Sequence, residues 1–266
     1  MKLFDCFMYN NEELLLDLRL NVLNKVVDKF IIIESLYDHQ GKKKKLKFKI
    51  KKFKTFKSKI NYVILKKFPK NLSNWERENY NRNFIDNGLS EASPNDYIMI
   101  SDIDEIPKIN NIEILKKKKF TSFKQSMFYY KLNLLNKTEP YWYGTKACKK
   151  KYLKSPQWLR NQKIKEYPYW RLDKRLTYIN WNIVNEGGWH FSFLMNSTNI
   201  RKKLLSYAHA EFSGNKFSSL SAIENKISQK KDLFGRGYKY QKVVINKLFP
   251  DYILNNKKNF EDFIIG

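Results

Sequence analysis

Two periods of apolar residues organise the first hundred positions. Leu3 to Tyr9 is apolar and aromatic with little alternation, the pattern of a strand buried on both faces. Asn10 then precedes a helical run, with Glu13 three residues later as in a capping box and Leu15, Leu18 and Val22 on one face. A second strand follows at Lys29 to Glu34. Strand, helix and strand within about thirty residues predict a βαβ unit, and hence a parallel sheet. Ile60 to Leu65 reads as a third strand, and Pro69 breaks the chain behind it.

Ser73 to Ala92 carries the clearest helical pattern, which Gly88 either ends or weakens. Ser73 and Glu76 form a capping box around Trp75, and Glu78 and Arg82, like Asn79 and Asn83, stand one turn apart. Pro94-Asn95-Asp96 is a turn, and Tyr97 to Ile100 is a short buried strand. Downstream the pattern loosens. Phe128 to Leu132 predicts a strand, Arg175 to Val184 one or two more, and Gly187 to Ser192 a turn entering a strand. Asn199 to Tyr207 and Ser219 to Lys231 have helical character. The fold class is therefore α/β, with a mostly parallel central sheet flanked by helices.

Composition narrows the partners rather than the fold. The 266 residues suit one large α/β domain. Lys and Arg number 52 against 26 Asp and Glu, a formal charge of +26. That excess is compatible with nucleic acid, an anionic membrane surface or phosphorylated small molecules. It is equally what an A- and T-rich coding sequence leaves, since Lys, Asn, Ile and Phe are abundant together. The lysines are spread along the chain and no nucleic-acid signature accompanies them, so no specific nucleic acid is expected. They are densest from Lys42 to Lys59, where Leu46, Phe48, Ile50, Phe53 and Phe56 interleave. This stretch reads as a solvated edge with its aromatics turned inward, or as a peripheral contact with an anionic membrane. The two cysteines, Cys6 and Cys148, match no zinc spacing and no disulfide framework, and no signal peptide is visible, so a cytoplasmic setting is expected.

The chemistry concentrates where the fourth strand ends. Asp102, Asp104 and Glu105 place three carboxylates within four residues, directly after Tyr97-Ile98-Met99-Ile100. Like charges so close repel, and a divalent cation removes that cost. Mg²⁺ and Mn²⁺ favour carboxylate oxygens and complete their shells with phosphate. In an open parallel sheet, ligands gather beyond the carboxyl ends of the strands. An Asp-x-Asp triplet by itself is also an ordinary turn or helix start.

Seven segments, in order, carry a resemblance. They are Phe4-Asp5-Cys6-Phe7-Met8-Tyr9-Asn10-Asn11-Glu12, Val27 to Ser35, Trp75-Glu76-Arg77-Glu78, Arg82-Asn83, Ser101-Asp102-Ile103-Asp104-Glu105-Ile106-Pro107, Gly187-Gly188-Trp189-His190-Phe191-Ser192 and His209-Ala210-Glu211. Over roughly residues 3 to 215 the chain resembles glycosyltransferase family 17, the family of β-1,4-mannosyl-glycoprotein 4-β-N-acetylglucosaminyltransferases. The resemblance implies a GT-A fold, an inverting mechanism, UDP-N-acetylglucosamine as donor, and Mn²⁺ or Mg²⁺. It implies a catalytic domain over residues 1–215, with 216–266 as a helical extension packed on it. The acceptor is a glycan or glycolipid. The basic stretch and the missing anchor segment favour a bacterial or viral surface glycan over a glycoprotein core. The alternatives are the same fold with a different donor sugar, or a non-catalytic basic protein that binds nucleic acid or sugar nucleotides.

Each site residue has an expected role and a plainer one. Asp104 is the expected direct metal ligand, Asp102 reaches metal or ribose, and Glu105 stands behind them. His190 is the expected third ligand, with His209 as runner-up. Glu34, at a strand end, is placed near the uracil or is a simple strand-end charge. Arg77, Arg82 and Asn83 are placed on the nucleotide, and a guanidinium suits phosphate oxygens, although Glu78 also offers Arg82 a helix ion pair. For the base that deprotonates the acceptor hydroxyl, Glu186 comes first, then Asp173 and Glu211. Trp142, Trp170 and Trp189 are candidates for stacking on sugars, Trp142 and Trp189 foremost, or for the core.

Overall fold

The first parallel pairs form where the sequence is most apolar. In the computed structural model, which describes residues 1–164, 170, 179–206, 211 and 214–266, β1 (Leu3–Met8) lies between β2 (Lys29–Ser35) and β4 (Tyr97–Ile100), parallel to both. β3 (Ile60–Leu65) continues the sheet in parallel beyond β2. Helix α1 (Glu13–Leu23) makes the β1-to-β2 crossover and buries Leu15, Leu16, Leu18, Leu20 and Leu23. Both faces of β1 are covered, Leu3 and Phe7 joining one apolar cluster and Phe4 and Cys6 another. Each such large side chain contributes about 1.5–3 kcal/mol by leaving water.

On the other side of β4 the sheet becomes mixed. β10 (Lys146–Lys149) runs antiparallel to β4 and to β6 (Phe120–Phe123), and β11 (Trp181–Val184) returns parallel to β6. The order is β11-β6-β10-β4-β1-β2-β3. β10 reverses because the chain comes back to it from a second sheet that the apolar pattern does not predict. That sheet contains β5 (Glu105–Pro107), β7 (Gln125–Tyr129), β8 (Leu134–Asn136), β12 (Gly188–Ser192) and β13 (Tyr240–Lys242), with β9 (Tyr141–Trp142) on β7. The architecture is thus α/β with mixed sheets flanked by helices.

Local predictions fare according to their cause. The capping box on helix α2 (Asn74–Asn83) is present, with Ser73 and Glu76 bonded reciprocally. This α-helix ends nine residues short of Ala92, and a 3₁₀ turn, Phe84–Gly88, replaces its last part. A Cβ at Gly88 would lie 2.3 Å from the Ile31 side chain, so this turn rides directly on β2. No side chain caps α1, whose N-cap is Glu12. Asn11 adopts φ 74°, and the Asn10 amide instead donates to Glu12 Oε2 at 2.8 Å. The strand expected at Phe128 to Leu132 begins earlier and stops at Tyr129, because Tyr130 turns to φ 61°. Residues 175–178 of the expected Arg175 to Val184 region lie outside the described residues. In the basic stretch, Phe53 and Phe56 are buried while Lys51, Lys54 and Lys57 face solvent.

The C-terminal fifty residues are tied into both layers. β13 pairs with β8, and Phe249, Ile253 and Phe260 enter the main apolar cluster. Helix α3 (Pro156–Asn161) packs against β10 and β4, and helix α4 (Ser197–Ser206) buries Ile200 and Leu204 in a cluster with Met127 and Tyr129 of β7. Among the described residues, no helix is long and apolar enough to cross a membrane.

Candidate active site

A cleft of about 1210 Å³ opens beyond the carboxyl ends of β1, β2 and β4, where Tyr9, Ser35 and Asp102 meet the end of α2. Parallel strands end together, so their following loops converge on one place. The loop from Ser101 to Glu105 crosses the floor of this cleft.

That loop is held from beneath by Arg19 of α1. Its side chain and that of Asp5 are both 0% exposed and pair at 2.6 Å. Arg19 Nη1 donates to the carbonyls of Asp102 at 3.0 Å, Ile103 at 3.3 Å and Glu105 at 2.9 Å, and Nη2 donates to Ser101 Oγ at 2.5 Å. A fully buried guanidinium survives only when its donors are satisfied, and here the loop carbonyls satisfy them. Arg19 lies 83 residues before Asp102 in contact but on the same apolar helix as five buried leucines, so its pattern signal was that of a core position.

Glu105 is the hub of the upper side. Its carboxylate accepts from Arg160 Nη2 at 2.7 Å and Nη1 at 3.0 Å, from Trp142 Nε1 at 2.5 Å and from the Asp102 amide at 2.9 Å. A Cβ at Gly144 would fall 2.1 Å from this carboxylate, which explains glycine there. Arg160 also donates to Asp102 Oδ2 at 2.8 Å, and Arg82 donates to Asp102 Oδ1 at 3.0 Å. Burial opposes ionisation of Asp102, but the Arg160 and Arg82 guanidinium groups outweigh it and hold the carboxyl well below its usual range. Arg82 further bonds Glu78 at 3.0 Å, the helix pair expected from spacing, and its buried Nε has no partner.

Asp104 faces a different set. His190 Nε2 and Lys203 Nζ each stand 3.7 Å from its Oδ2. Burial pushes Asp104 up, yet Lys203 and His190 prevail and its pKa is lowered. For His190, burial favours the neutral ring, but Asp104 and Glu105 raise the pKa above its ordinary value. Backbone pairing delivers this histidine: β12 is antiparallel to β5, with His190 opposite Glu105, and the Phe191 amide donates to the Asp104 carbonyl at 2.9 Å. The glycines before it serve that approach. Gly188 has φ 124°, and a Cβ there would sit 2.2 Å from the Ile106 carbonyl.

The predicted residues separate into those on the cleft and those elsewhere. Arg82, Asp102, Asp104, Trp142, His190 and Glu211 all line it. Glu34 is completely buried and occupied by the Lys47 and Phe48 amides, Tyr62 and Lys44, so it braces the basic stretch. Arg77 turns toward the His39 carbonyl and Asn74, and Asn83 accepts from the Gln157 amide, fixing α3. Glu186 lies in a separate hollow with Asn111 and Lys108. Trp189 is a core residue whose Nε1 donates to the Leu248 carbonyl, and Trp170 is 78% exposed. Asp173 and His209 lie outside the described residues. Arg160, Arg19, Glu12 and Lys203 were missed, since an isolated basic or acidic residue carries no spacing signal.

Among the described residues, no group of three or more His, Cys, Asp or Glu side chains converges so as to hold a metal ion. Asp102 is taken up by two arginines, so Asp102, Asp104 and His190 do not form the ligand triad expected from the sequence.

Mixed sheets flanked by helices, with an acidic loop at the strand ends over a deep cleft, place the chain among GT-A-like glycosyltransferases. The chain belongs to glycosyltransferase family 17, whose family model matches residues 1–261. It is similar to β-1,4-mannosyl-glycoprotein 4-β-N-acetylglucosaminyltransferase of Homo sapiens, at 34% identity over 117 residues. The Rattus norvegicus and Mus musculus proteins of the same name align at 34% and 33%. The aligned stretch covers 40% of this chain and only 22% of each relative.

Proposed function

We propose that this chain is an inverting, metal-dependent glycosyltransferase that moves N-acetylglucosamine from UDP-N-acetylglucosamine to a glycan or glycolipid acceptor. The carrying observation is that Arg82, the Asp102 and Asp104 pair and His190, three places far apart in sequence, share one cleft at the carboxyl ends of parallel strands. The relatives in human and rat are N-acetylglucosaminyltransferases by name, which supports the same donor sugar.

The donor atoms suit a divalent ion in part. Asp104 offers a carboxylate and His190 an imidazole, and the buried His190 Nδ1 has no hydrogen-bond partner. Mn²⁺ accepts such a mixed pair, and Mn²⁺ or Mg²⁺ takes few protein ligands when phosphate oxygens complete the shell. When bound, the ion would supply positive charge for the departing diphosphate.

The chain's own groups do the remainder in this reading. Arg82, with its unpartnered Nε, offers charge-assisted hydrogen bonds to the diphosphate. Asp102, 36% exposed at its side chain and fixed by Arg82 and Arg160, presents its edge to the ribose. Of the two candidate bases among the described residues, Glu186 and Glu211, Glu211 lines the cleft, and it takes the acceptor proton. Trp142, 38% exposed and anchored by Glu105, offers its face to the acceptor sugar. The lysines of the 42–59 stretch supply the surface for an anionic membrane.

UDP release from UDP-N-acetylglucosamine with Mn²⁺, measured for the wild type and Asp104→Ala, tests the reading. Turnover by the wild type and its loss in the variant are expected. Equal turnover in both would overturn the assignment of Asp104.

A further inference from the structure

One cation in the cleft has no place in the scheme above. Lys203, on α4, stands 3.7 Å from Asp104 Oδ2 and 3.8 Å from Glu12 Oε1. Its side chain is 23% exposed, whereas the two carboxylates are 10% and 8% exposed. The Glu12 carboxylate is held in place, because the Asn10 amide donates to Oε2 at 2.8 Å and Glu12 is the N-cap of α1. The stem of Lys203 passes Phe193, whose ring centre is 5.5 Å from Nζ. An ammonium is therefore packed as shared counter-ion to two poorly solvated acids, one of which faces His190.

We infer that Lys203 competes with the divalent ion for Asp104, so that the protein without nucleotide binds the ion weakly. The inference rests on the reading of Asp104 and His190 as metal ligands. Two cations beside one buried carboxylate repel, so entry of the ion requires Lys203 to give up Asp104. An incoming diphosphate gives the displaced ammonium a new anionic partner, which couples ion binding to donor binding. Lys203 is thus a positioning residue that sets the order of binding.

Titration calorimetry with Mn²⁺ on the full chain, with and without UDP, tests this directly. Lys203→Met is expected to bind Mn²⁺ without UDP at least about tenfold more tightly than the wild type, since like-charge contacts cost several kcal/mol. Lys203→Gln should behave alike and covers the case in which the methionine variant does not fold. Lys203→Arg, which retains the charge, and Lys202→Met, at an exposed neighbour, should both match the wild type. The UDP-dependent gain in Mn²⁺ affinity should shrink in Lys203→Met. If the wild type binds Mn²⁺ and Lys203→Met and Lys203→Gln bind it no more tightly, the competition is wrong while the metal reading stands. If none of the proteins binds Mn²⁺ even with UDP, both fall.

Discussion

His190 stands opposite Glu105 in the antiparallel pairing of β12 with β5, so a backbone register brings its imidazole beside Asp104. The same Glu105 uses its carboxylate to fix Arg160, Trp142 and the Asp102 amide. Main chain and side chain of one residue therefore organise the two halves of the site.

Replacing that carboxylate tests the hub. Glu105→Gln keeps the shape but removes the charge that Arg160 and Trp142 share, and both would lose their fixed directions. UDP release should fall by about 10- to 100-fold, the range for groups that orient site residues. A variant that keeps full turnover would show that the network is dispensable.

Arg19 tests whether the floor of the loop sets stability. Arg19→Met leaves Asp5 buried without its partner and takes one donor from each of three carbonyls, of which those of Asp102 and Glu105 keep the Glu105 amide and the Thr145 hydroxyl. Urea denaturation should show a loss of about 3–5 kcal/mol, as for breaking one half of a buried ion pair. Asp5→Leu combined with Arg19→Met should recover only part of this, because the Ile103 carbonyl and the Ser101 hydroxyl still lose the Arg19 donor.

Glycine positions give a steric contrast. Gly144→Ala drives a methyl group into the Glu105 carboxylate, whereas nothing lies within 4 Å of a Cβ at Gly214. The first change should cost about 1–3 kcal/mol, and the second should be close to neutral. Equal melting temperatures for the two variants would remove the steric account of Gly144.

Lys146 gives a pH signature. Burial, reinforced by Arg160 and Arg82 and only partly opposed by Glu105, pushes its pKa from 10.5 down to about 8. Its Nζ donates to the Arg160 carbonyl at 2.6 Å and the Gln162 carbonyl at 2.7 Å. Between these pKa values the unfolded chain binds more protons than the folded one, so this residue makes stability rise with pH. The stability difference between wild type and Lys146→Met should be flat below about pH 8 and climb toward 10.5. A difference that stays level across that window would show that Lys146 titrates normally in the folded protein.

Much of this was legible in the residues because its causes are local. Buried strands show as apolar runs, the α2 cap shows as Ser73 and Glu76, and the strand-terminal acids mark the site because strand ends in parallel sheets face ligands. Gly88 marked a helix end or a weak point in the sequence, but the change to a 3₁₀ turn before it and the packing of Gly88 on Ile31 of another strand were not legible. Glu34 shows the same limit. Its sequence position marks a strand end, but the Lys47 and Phe48 amides that consume it arrive only when the basic stretch folds over β2.

The chain's order of residues by itself determined the parallel β1, β2, β3 and β4 core and the position of Ser101 to Glu105 at its edge, because apolar period and capping act over a few residues. Only the tertiary structure decided which charged partner each carboxylate meets. Arg19, Arg160, His190 and Lys203 reach Asp5, Asp102, Asp104 and Glu105 across separations that no spacing encodes. In a buried cleft it is the nearest opposite charge, not the neighbour in sequence, that fixes each acid's ionisation.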